Sequence, residues 1–594
     1  MIRTPLRPLA RILDARSRGE NPDAIERENI RLRHEEMRDR ARRRAEGRLL
    51  VLAVMFFCAF GVVGGRMAVL AQSEPAEPRA SVAGAEIFAQ RADIVDRQGR
   101  ILATNFDTYS LYAQPQTMVD PATAADKLAA IFPDLNRDRL LKDFTGTRKF
   151  LWIKKKLSPE QQQAVHDIGE PGLLFGPREM RLYPNGRLAA HVLGGASFGR
   201  EGVHAAEVVG VAGVEKFHDE RLRDPGRSNE PLVLSLDLSV QAAMERVLLG
   251  GMKIMNARGA AGILMEVGTG EVVAVASLPD FDPNDRPALP VTGRPDDSPL
   301  FNRAVQGVYE LGSTFKVFAV AQALDLGLVT PDTVINTKTP MAWGKFRIRD
   351  FRNYGPEQSV TNVIVKSSNV GTARIAMEIG GVRQRAFLEK LGFMEASPVE
   401  ITEAAGSKPL LPAKWSELST MTISYGHGFS TSPMHLAAAY ATIANGGRRV
   451  TPTLLHGGAQ GPGERVISEQ TAAAMRGMLR EVVAGGTASL GEVPGYAVAG
   501  KTGTADKPRI NGKGYEKDKV IATFASFFPA HDPQYVLVVA LDEPVETSGD
   551  EPRRTAGWTA VPVAAEIIRR VAPLLGLRPE IEPGELAAIR QASN

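Results

Sequence analysis

Residues 495–514 read GYAVAGKTGTADKPRINGKG, and the fold turns on the residues after the first lysine. The first eight residues fit G-x-x-x-x-G-K-[ST], a phosphate-binding loop. That chemistry needs a buried strand before the loop and a helix beginning at the lysine, whose N–H groups cradle phosphates. Pro508 and the glycines of GTADKPRINGKG do not support such a helix. The nucleotide reading is therefore rejected in favour of an alternating strand, AGKTGTA (499–505). With VIATFASFFPA (520–530) and YVLVVALDEP (535–544) it predicts an antiparallel meander joined by short links.

Upstream, LVLSLD (232–237) reads as a strand, followed by a helix in SVQAAMERVLLGGM and a hairpin in GILMEVGTGEVVAVAS (262–277). That hairpin turns at Gly268-Thr269-Gly270. Several helices intervene before the meander. One, MHLAAAYATIA, is announced by Ser432-Pro433 and stopped by Gly446-Gly447. TAVPVAAEIIRRVAPLL closes the pattern as an amphipathic helix. Strands, then helices, then strands again predict an α+β domain whose central antiparallel sheet is built from both ends of the module.

The chain has 594 residues, 43% hydrophobic and 24% charged, which describes a folded protein of several domains. Its net charge of +4 is small, and much of the excess lies in residues 1–48, with 14 Arg, no Lys and 9 acids. The remainder is close to neutral and gives no support to a nucleic-acid surface. Leu49–Gly65 carries no charge and is bracketed by Arg48 and Arg66. Seventeen helical residues span about 25 Å, within reach of a single membrane crossing. The long lead and the absence of a small-x-small site after it argue for an uncleaved anchor over a signal peptide. Positive charge before the span places the tail inside and the rest outside. ATP is not available there. Cys58, the only cysteine, lies within the span, so the exported part makes no disulfide.

Residues 20–46 carry Glu36/Arg40 and Asp39/Arg43 at helical spacing, which predicts a solvated helix; contact with a cytoplasmic partner or anionic lipid is the alternative. SEPAEPRAS (73–81) is a polar linker. A first exported module comes next, in which ADIVDRQGRILATN (92–105) predicts two short strands around a turn at Gly99; it ends near DPGRSNEP. GASFG (195–199) fits the G-x-S-x-G nucleophile elbow, but REGVHAAEVVGVAG after it makes a poor helix, so the elbow is rejected. The nine His are scattered, and no HExxH or other metal-ligand spacing occurs.

YELGSTFKVF (309–318) holds Ser313 and Lys316, the only S-x-x-K in the chain. Among 27 serines and 20 lysines one such pair is expected by chance, so it needs support. VFAVAQALDL after it places Ser313 at the first turn of a helix, where N–H groups can stabilise an oxyanion. Lys316, one turn on, can take the serine proton only if burial or a second cation lowers its pKa. VKSSNVG (365–371) supplies Ser367 and Asn369 between two helical stretches, SVTNVIVK and VGTARIAMEIG. AGKTGTA supplies Lys501, Thr502, Gly503 and Thr504. Taken singly, these are a helix cap and a polar strand end. Together, in one order on one module, they form a candidate site.

S-x-x-K, S-x-N and K-T-G in this order resemble the signature of penicillin-binding proteins and serine β-lactamases. RADIVDRQGRILATN, RLYPNGRLAAHVLG, GVAGVEKF, LSLDLSVQ, NRAVQGVYELGSTFK, SYGHGFSTSP and VAGKTGTA look like class B penicillin-binding proteins, over roughly residues 87–570. The Arg-rich tail and KTGTA resemble most the septal, cell-division transpeptidase of Gram-negative bacteria. Leu311 stands where the family usually has Pro, and Ser368 fills the middle of S-x-N.

The resemblance implies a cytoplasmic tail (1–48), an inner-membrane anchor (49–65), a linker (66–86), a non-catalytic pedestal (87–230), a transpeptidase domain (231–575) and a C-terminal tail (576–594). It implies that Ser313 attacks D-Ala-D-Ala of a peptidoglycan stem peptide and that Lys316 takes its proton. Ser367 and Lys501 then relay it, and Asn369 binds the substrate amide. Thr502 and Thr504 hold the terminal carboxylate, with Gly503 between them. The N–H groups of Ser313 and Thr504 form the oxyanion hole, and a second stem's amine completes the cross-link. No metal or organic cofactor is called for. Implied partners are stem peptides, β-lactam antibiotics and membrane-bound division proteins including a glycosyltransferase. A β-lactamase or D,D-carboxypeptidase shares the acylation machinery, but the anchor and large first module argue against a β-lactamase. A non-catalytic division scaffold is the rival of another class, and the intact triplet argues against it. A bifunctional glycosyltransferase lacks a matching acidic motif in the first module.

Overall fold

The computed structural model describes residues 7–72, 90–201, 206–459, 461, 463–509 and 514–580. The chain forms two units, Met1–Ala80 and Ser81–Asn594. In the first, a helix Arg7–Ser17 precedes a 51-residue helix Pro22–Gln72. That helix takes in both the charged stretch and the apolar run. Arg31 and Glu35 make an i,i+4 ion pair on it at 3.5 Å; Glu36/Arg40 and Asp39/Arg43 lie outside the described side chains, and the linker 73–81 outside the described residues. The side chains of Leu49–Gly64 are all exposed. Among the described residues no helix is long and apolar enough to cross a membrane.

In the second unit the opening stretch of sequence is a strand, Ala499–Pro508, and no helix starts at Lys501. It pairs antiparallel with Tyr515–Phe528, which pairs with Tyr535–Asp542. Tyr535–Asp542 then pairs with Gly259–Glu266, the first arm of the expected hairpin, and Val272–Leu278 closes the edge. Both ends of the module thus build one five-stranded antiparallel sheet. Gly259–Glu266, Val272–Leu278 and Tyr535–Asp542 are buried along almost their whole length, so both faces of the sheet are covered there. The cover comes from the helices Leu238–Ile254, Pro433–Ala444 and Ala560–Val571. Ser432 caps the second of these, accepting from His435 N–H, as Ser-Pro there predicts.

The stretch that begins at residue 90 has a sheet of its own. Ile94–Val95 turns at Gly99 into Ile101–Ala113, which pairs with Leu151–Leu157 and with Leu173–Leu182. The second strand runs for 13 residues, longer than expected, because it has partners along both edges. LVLSLD departs further from expectation. Only Leu232–Val233 is strand, and it pairs parallel with Ile94–Val95 rather than starting the central sheet. A short apolar run carries no information about which sheet it joins. GASFG lies inside the strand Gly195–Glu201, paired with Ala206–Ala212, so Ser197 sits on no strand-to-helix turn. A small core around Leu111, Leu128, Phe132 and Phe144 belongs to this region. Ala92, Ile94, Leu102 and Val214 instead join the large core that encloses the central sheet.

Candidate active site

Gly312–Phe315 forms a 3₁₀ turn that runs directly into the helix Lys316–Asp325. Ser313 sits in this first turn, half-buried, with Gly312 and Thr314 buried on either side. Thr314 Oγ1 donates to Leu311 C=O at 2.9 Å and tightens the turn. Leu311, the residue out of pattern, is itself buried and supplies that carbonyl.

Lys316 is fully buried. Its Nζ donates to Ser367 C=O at 2.5 Å and to Ser367 Oγ at 3.0 Å. Lys501, also fully buried, donates from Nζ to the same Ser367 Oγ at 3.0 Å and to Thr502 C=O at 3.2 Å. One hydroxyl therefore bridges two lysines drawn from opposite ends of the module. Desolvation, and next the nearby Lys501 ammonium, pull the Lys316 amine well below its ordinary value, against the opposing pull of Asp350. Desolvation alone brings Lys501 down to about 7. These are the conditions under which a lysine serves as a base at neutral pH.

Ser367 has φ +63, in the left-handed region, at the junction of the helices Val360–Val365 and Asn369–Ile379. A non-glycine residue there costs about 1–3 kcal/mol and persists because its surroundings impose it. Ser368 imposes much of this geometry. It is fully buried, caps the second helix by accepting from Gly371 N–H at 2.9 Å, and donates to Asp350 Oδ2 at 2.8 Å. Asp350 Oδ1 also accepts from Val370 N–H at 3.0 Å. The middle of S-x-N is thus structural, held by an aspartate that no motif marked.

On the sheet edge, period-two alternation turns Lys501 and Gly503 to one side and Thr502 and Thr504 to the other. Gly503 packs on the turn that bears Ser313: a Cβ there would lie 2.2 Å from Leu311 O and 2.9 Å from Thr314 Cγ2. Thr502 is buried, with its hydroxyl 2.9 Å from that of Thr487. Thr504 Oγ1 accepts from Ala556 N–H at 3.0 Å, leaving its own O–H free to donate. Gly426, in SYGHGFSTSP, seals the other flank, since a Cβ there would lie 2.0 Å from Gly312 O.

The structure therefore brings Lys316, Ser367, Lys501 and Thr502 into one hydrogen-bonded chain, with Ser313, Gly503 and Thr504 packed around the same turn. Asn369 is not in that chain. Its Nδ2 donates to Arg349 C=O at 2.9 Å. Asp350, Thr487 and Gly426 escaped the sequence reading, because their roles come from contacts across long stretches of chain.

Comparison with known proteins gives this geometry a family. Residues 260–569 match the penicillin-binding protein transpeptidase domain, and residues 86–229 the penicillin-binding protein dimerisation domain. The chain is 35% identical to the probable peptidoglycan D,D-transpeptidase FtsI of Caulobacter vibrioides, over 93% of each chain. It is 28% identical to the peptidoglycan D,D-transpeptidase FtsI of Escherichia coli, over 83% of this chain and 85% of that one. Penicillin-binding protein 3 of Mycobacterium tuberculosis, solved with aztreonam, is similar in structure, with a TM-score of 0.63 and 26% identity. That match covers 83% of this chain and 98% of the other. With the transpeptidase match spanning more than half its length and a dimerisation domain before it, the chain belongs to the class B penicillin-binding protein transpeptidases.

Proposed function

We propose that the chain is the peptidoglycan D,D-transpeptidase of septal wall synthesis, acting through an acyl-enzyme on Ser313. The observation that carries this is the Ser367 hydroxyl bridging two buried lysines beside the turn that bears Ser313. Ser313 Oγ attacks the carbonyl between the two terminal D-alanines of a stem peptide. Neutral Lys316 takes its proton, and the tetrahedral oxyanion is held by the N–H groups of Ser313 and Thr504. The proton passes through Lys316, Ser367 and Lys501 to the departing D-alanine amine. Thr502 and Thr504 hold the terminal carboxylate, Gly503 keeps their strand close, and Asn369 turns from Arg349 to the substrate amide. A second stem's amine then attacks the ester and forms the cross-link. β-Lactams acylate Ser313 by the same route.

Leu49–Gly65 is the single anchor in the inner membrane, with residues 1–48 cytoplasmic and the transpeptidase domain, 231–575, periplasmic. Residues 66–86 are the linker, and 576–594 form a C-terminal tail. The pedestal, 87–230, is non-catalytic and docks membrane-bound division proteins, a glycosyltransferase among them. The names of the FtsI relatives support the septal assignment.

The test is fluorescent-penicillin labelling of the parent and of Ser313→Ala, followed by incubation with a pentapeptide donor and an amine acceptor. Label on the parent alone, with D-alanine release and dimer formation, is the expected result. Label retained by Ser313→Ala would overturn the assignment. Release of D-alanine without dimer would make the chain a carboxypeptidase.

A further inference from the structure

Beside the nucleophile turn lies a second titratable cluster that acylation leaves unused. Gly312 N–H donates to Gly426 C=O at 3.3 Å and Gly428 N–H to Glu310 Oε1 at 2.8 Å, so residues 426–428 run alongside 310–312. His427, between them, therefore stands next to the turn that bears Ser313. Its Nδ1 lies 3.1 Å from Glu310 Oε2, with the carboxylate 8% exposed and the imidazole 29% exposed. Tyr515 OH donates to the same carboxylate, at 3.2 Å to Oε1 and 3.1 Å to Oε2. The rings of Tyr425 and Tyr515 lie 5.5 and 6.0 Å from the imidazole. A carboxylate on Nδ1 fixes the orientation of a histidine and leaves Nε2 to act.

The charged and titratable groups facing His427 are Glu310, Tyr425 and Tyr515, with Asp506 behind Tyr515. Burial first, then the Glu310 charge, pushes Tyr425 up to about 12 and raises Tyr515 further. Both stay phenols across the working range. Of these side chains, only the imidazole of His427 is of a type that becomes a cation on accepting a proton.

The second half-reaction has a proton to lose that the Lys316 route does not carry. A primary alkylamine arrives at neutral pH as an ammonium, since its pKa is about 10.4. Cross-linking strips two protons from that nitrogen. One travels through Lys316 to Ser313 Oγ when the ester C–Oγ bond breaks. The other must leave first, or the nitrogen has no lone pair to attack with.

We propose that His427, oriented by Glu310, is the base that deprotonates the incoming acceptor ammonium. This rests on the Ser313 acyl-enzyme reading. Imidazole Nε2 takes one proton from R–NH₃⁺, and the Glu310 carboxylate offsets the charge that both ammonium and imidazolium bring. The freed lone pair attacks the acyl carbonyl and the N–C bond forms. As the C–Oγ bond breaks, the second nitrogen proton reaches Oγ by way of Lys316. The imidazolium then returns its proton to water. His427 is a catalytic residue of this step, and Glu310 is its positioning residue.

The test uses the full chain with a thioester acyl donor and two acceptors. D-Alanine is largely an ammonium at pH 7, whereas hydroxylamine is already unprotonated. In His427→Gln and His427→Asn, penicillin acylation and hydroxylaminolysis stay within about threefold of the parent. Transfer to D-alanine falls roughly 100-fold, the loss of a general base. The residual D-alanine reaction should climb tenfold per pH unit from 7 to 9, following the free amine. Glu310→Gln should reproduce this pH profile with a smaller loss. Transfer to D-alanine unchanged in both histidine variants would overturn the proposal. So would equal loss with both acceptors, or loss of penicillin acylation in both variants, since either makes the ring structural. An unacylated parent would instead sink the Ser313 reading on which the step depends.

Discussion

Gly426→Ala is the substitution that most sharply probes how the turn bearing Ser313 is held. A Cβ at 426 would stand 2.0 Å from Gly312 O and 2.6 Å from Gly312 Cα, both backbone atoms next to Ser313. Contacts between 3.0 and 3.4 Å are already tight, so one of the two segments must retreat by 1.0 to 1.4 Å (3.0 − 2.0 and 3.4 − 2.0). A misplacement of about 1 Å at a reacting group costs on the order of 100-fold in rate. The backbone adds its own penalty, because φ at Gly426 is +82 and an alanine there costs about 1–2 kcal/mol. Gly428→Ala separates the two effects. It too has positive φ, +73, but its nearest neighbour would be the Thr422 hydroxyl at 3.5 Å. The second-order rate constant for acylation by a fluorescent penicillin should fall about 100-fold in Gly426→Ala and less than about threefold in Gly428→Ala. Thermal melting should report similar losses from backbone strain in both. Equal acylation rates in the two variants would refute the packing argument, whatever the melts show.

Other outcomes come from the same geometry. Lys316→Met should slow acylation by 10²–10⁴-fold, the range for loss of a general base, while the protein still melts cooperatively. Asp350→Ala removes the acceptor for Ser368 Oγ and Val370 N–H and should destabilise the domain by about 1–3 kcal/mol in denaturant titrations. Acylation should slow with it, because Ser367 loses the support for its left-handed backbone. Lys501 predicts a pH dependence of stability. Its folded pKa of about 7 lies below the unfolded value of about 10.4, so between these the unfolded chain holds a proton that the folded chain has lost. Stability contributed at this site therefore rises with pH, by about 2 kcal/mol from pH 7 to 9, since the slope is about half of 1.36 kcal/mol per unit at pH 7 and approaches the full value above it. Lys501→Met, which cannot titrate, should accordingly lose ground against the parent over that interval. A difference that stays constant would contradict the lowered pKa.

Much of this was legible in the sequence because the decisive signals are local. Pro508 and the glycines after Lys501 excluded a helix, and period-two patterning then gave the sheet edge. The S-x-x-K, S-x-N and K-T-G stretches each announced their own element, and the fold brings their lysines to one hydroxyl. The features that escaped depend on contact between distant segments. Asp350 lies in an irregular loop with no periodic pattern, and its tie to Ser368 exists only once the loop folds back. Gly426 looks like any turn glycine until Gly312 is set against it. LVLSLD misled because a short apolar run suits either sheet, and pairing with Ile94–Val95 decided the matter. Asn369 carries the expected residue type at the expected spacing, and its bond to the Arg349 carbonyl, 20 residues earlier in the chain, was not legible because it joins a helix start to an irregular loop.

The central claim is that one serine, activated by a shared pair of buried lysines, carries the acyl group. Intact mass followed by peptide mapping after exposure to a β-lactam tests it most directly. A single adduct on the peptide that contains Ser313, abolished in Ser313→Ala and slowed at least 100-fold in Lys316→Met, is the result predicted. An adduct on any other residue, or one that forms at the parent rate in Lys316→Met, would contradict it.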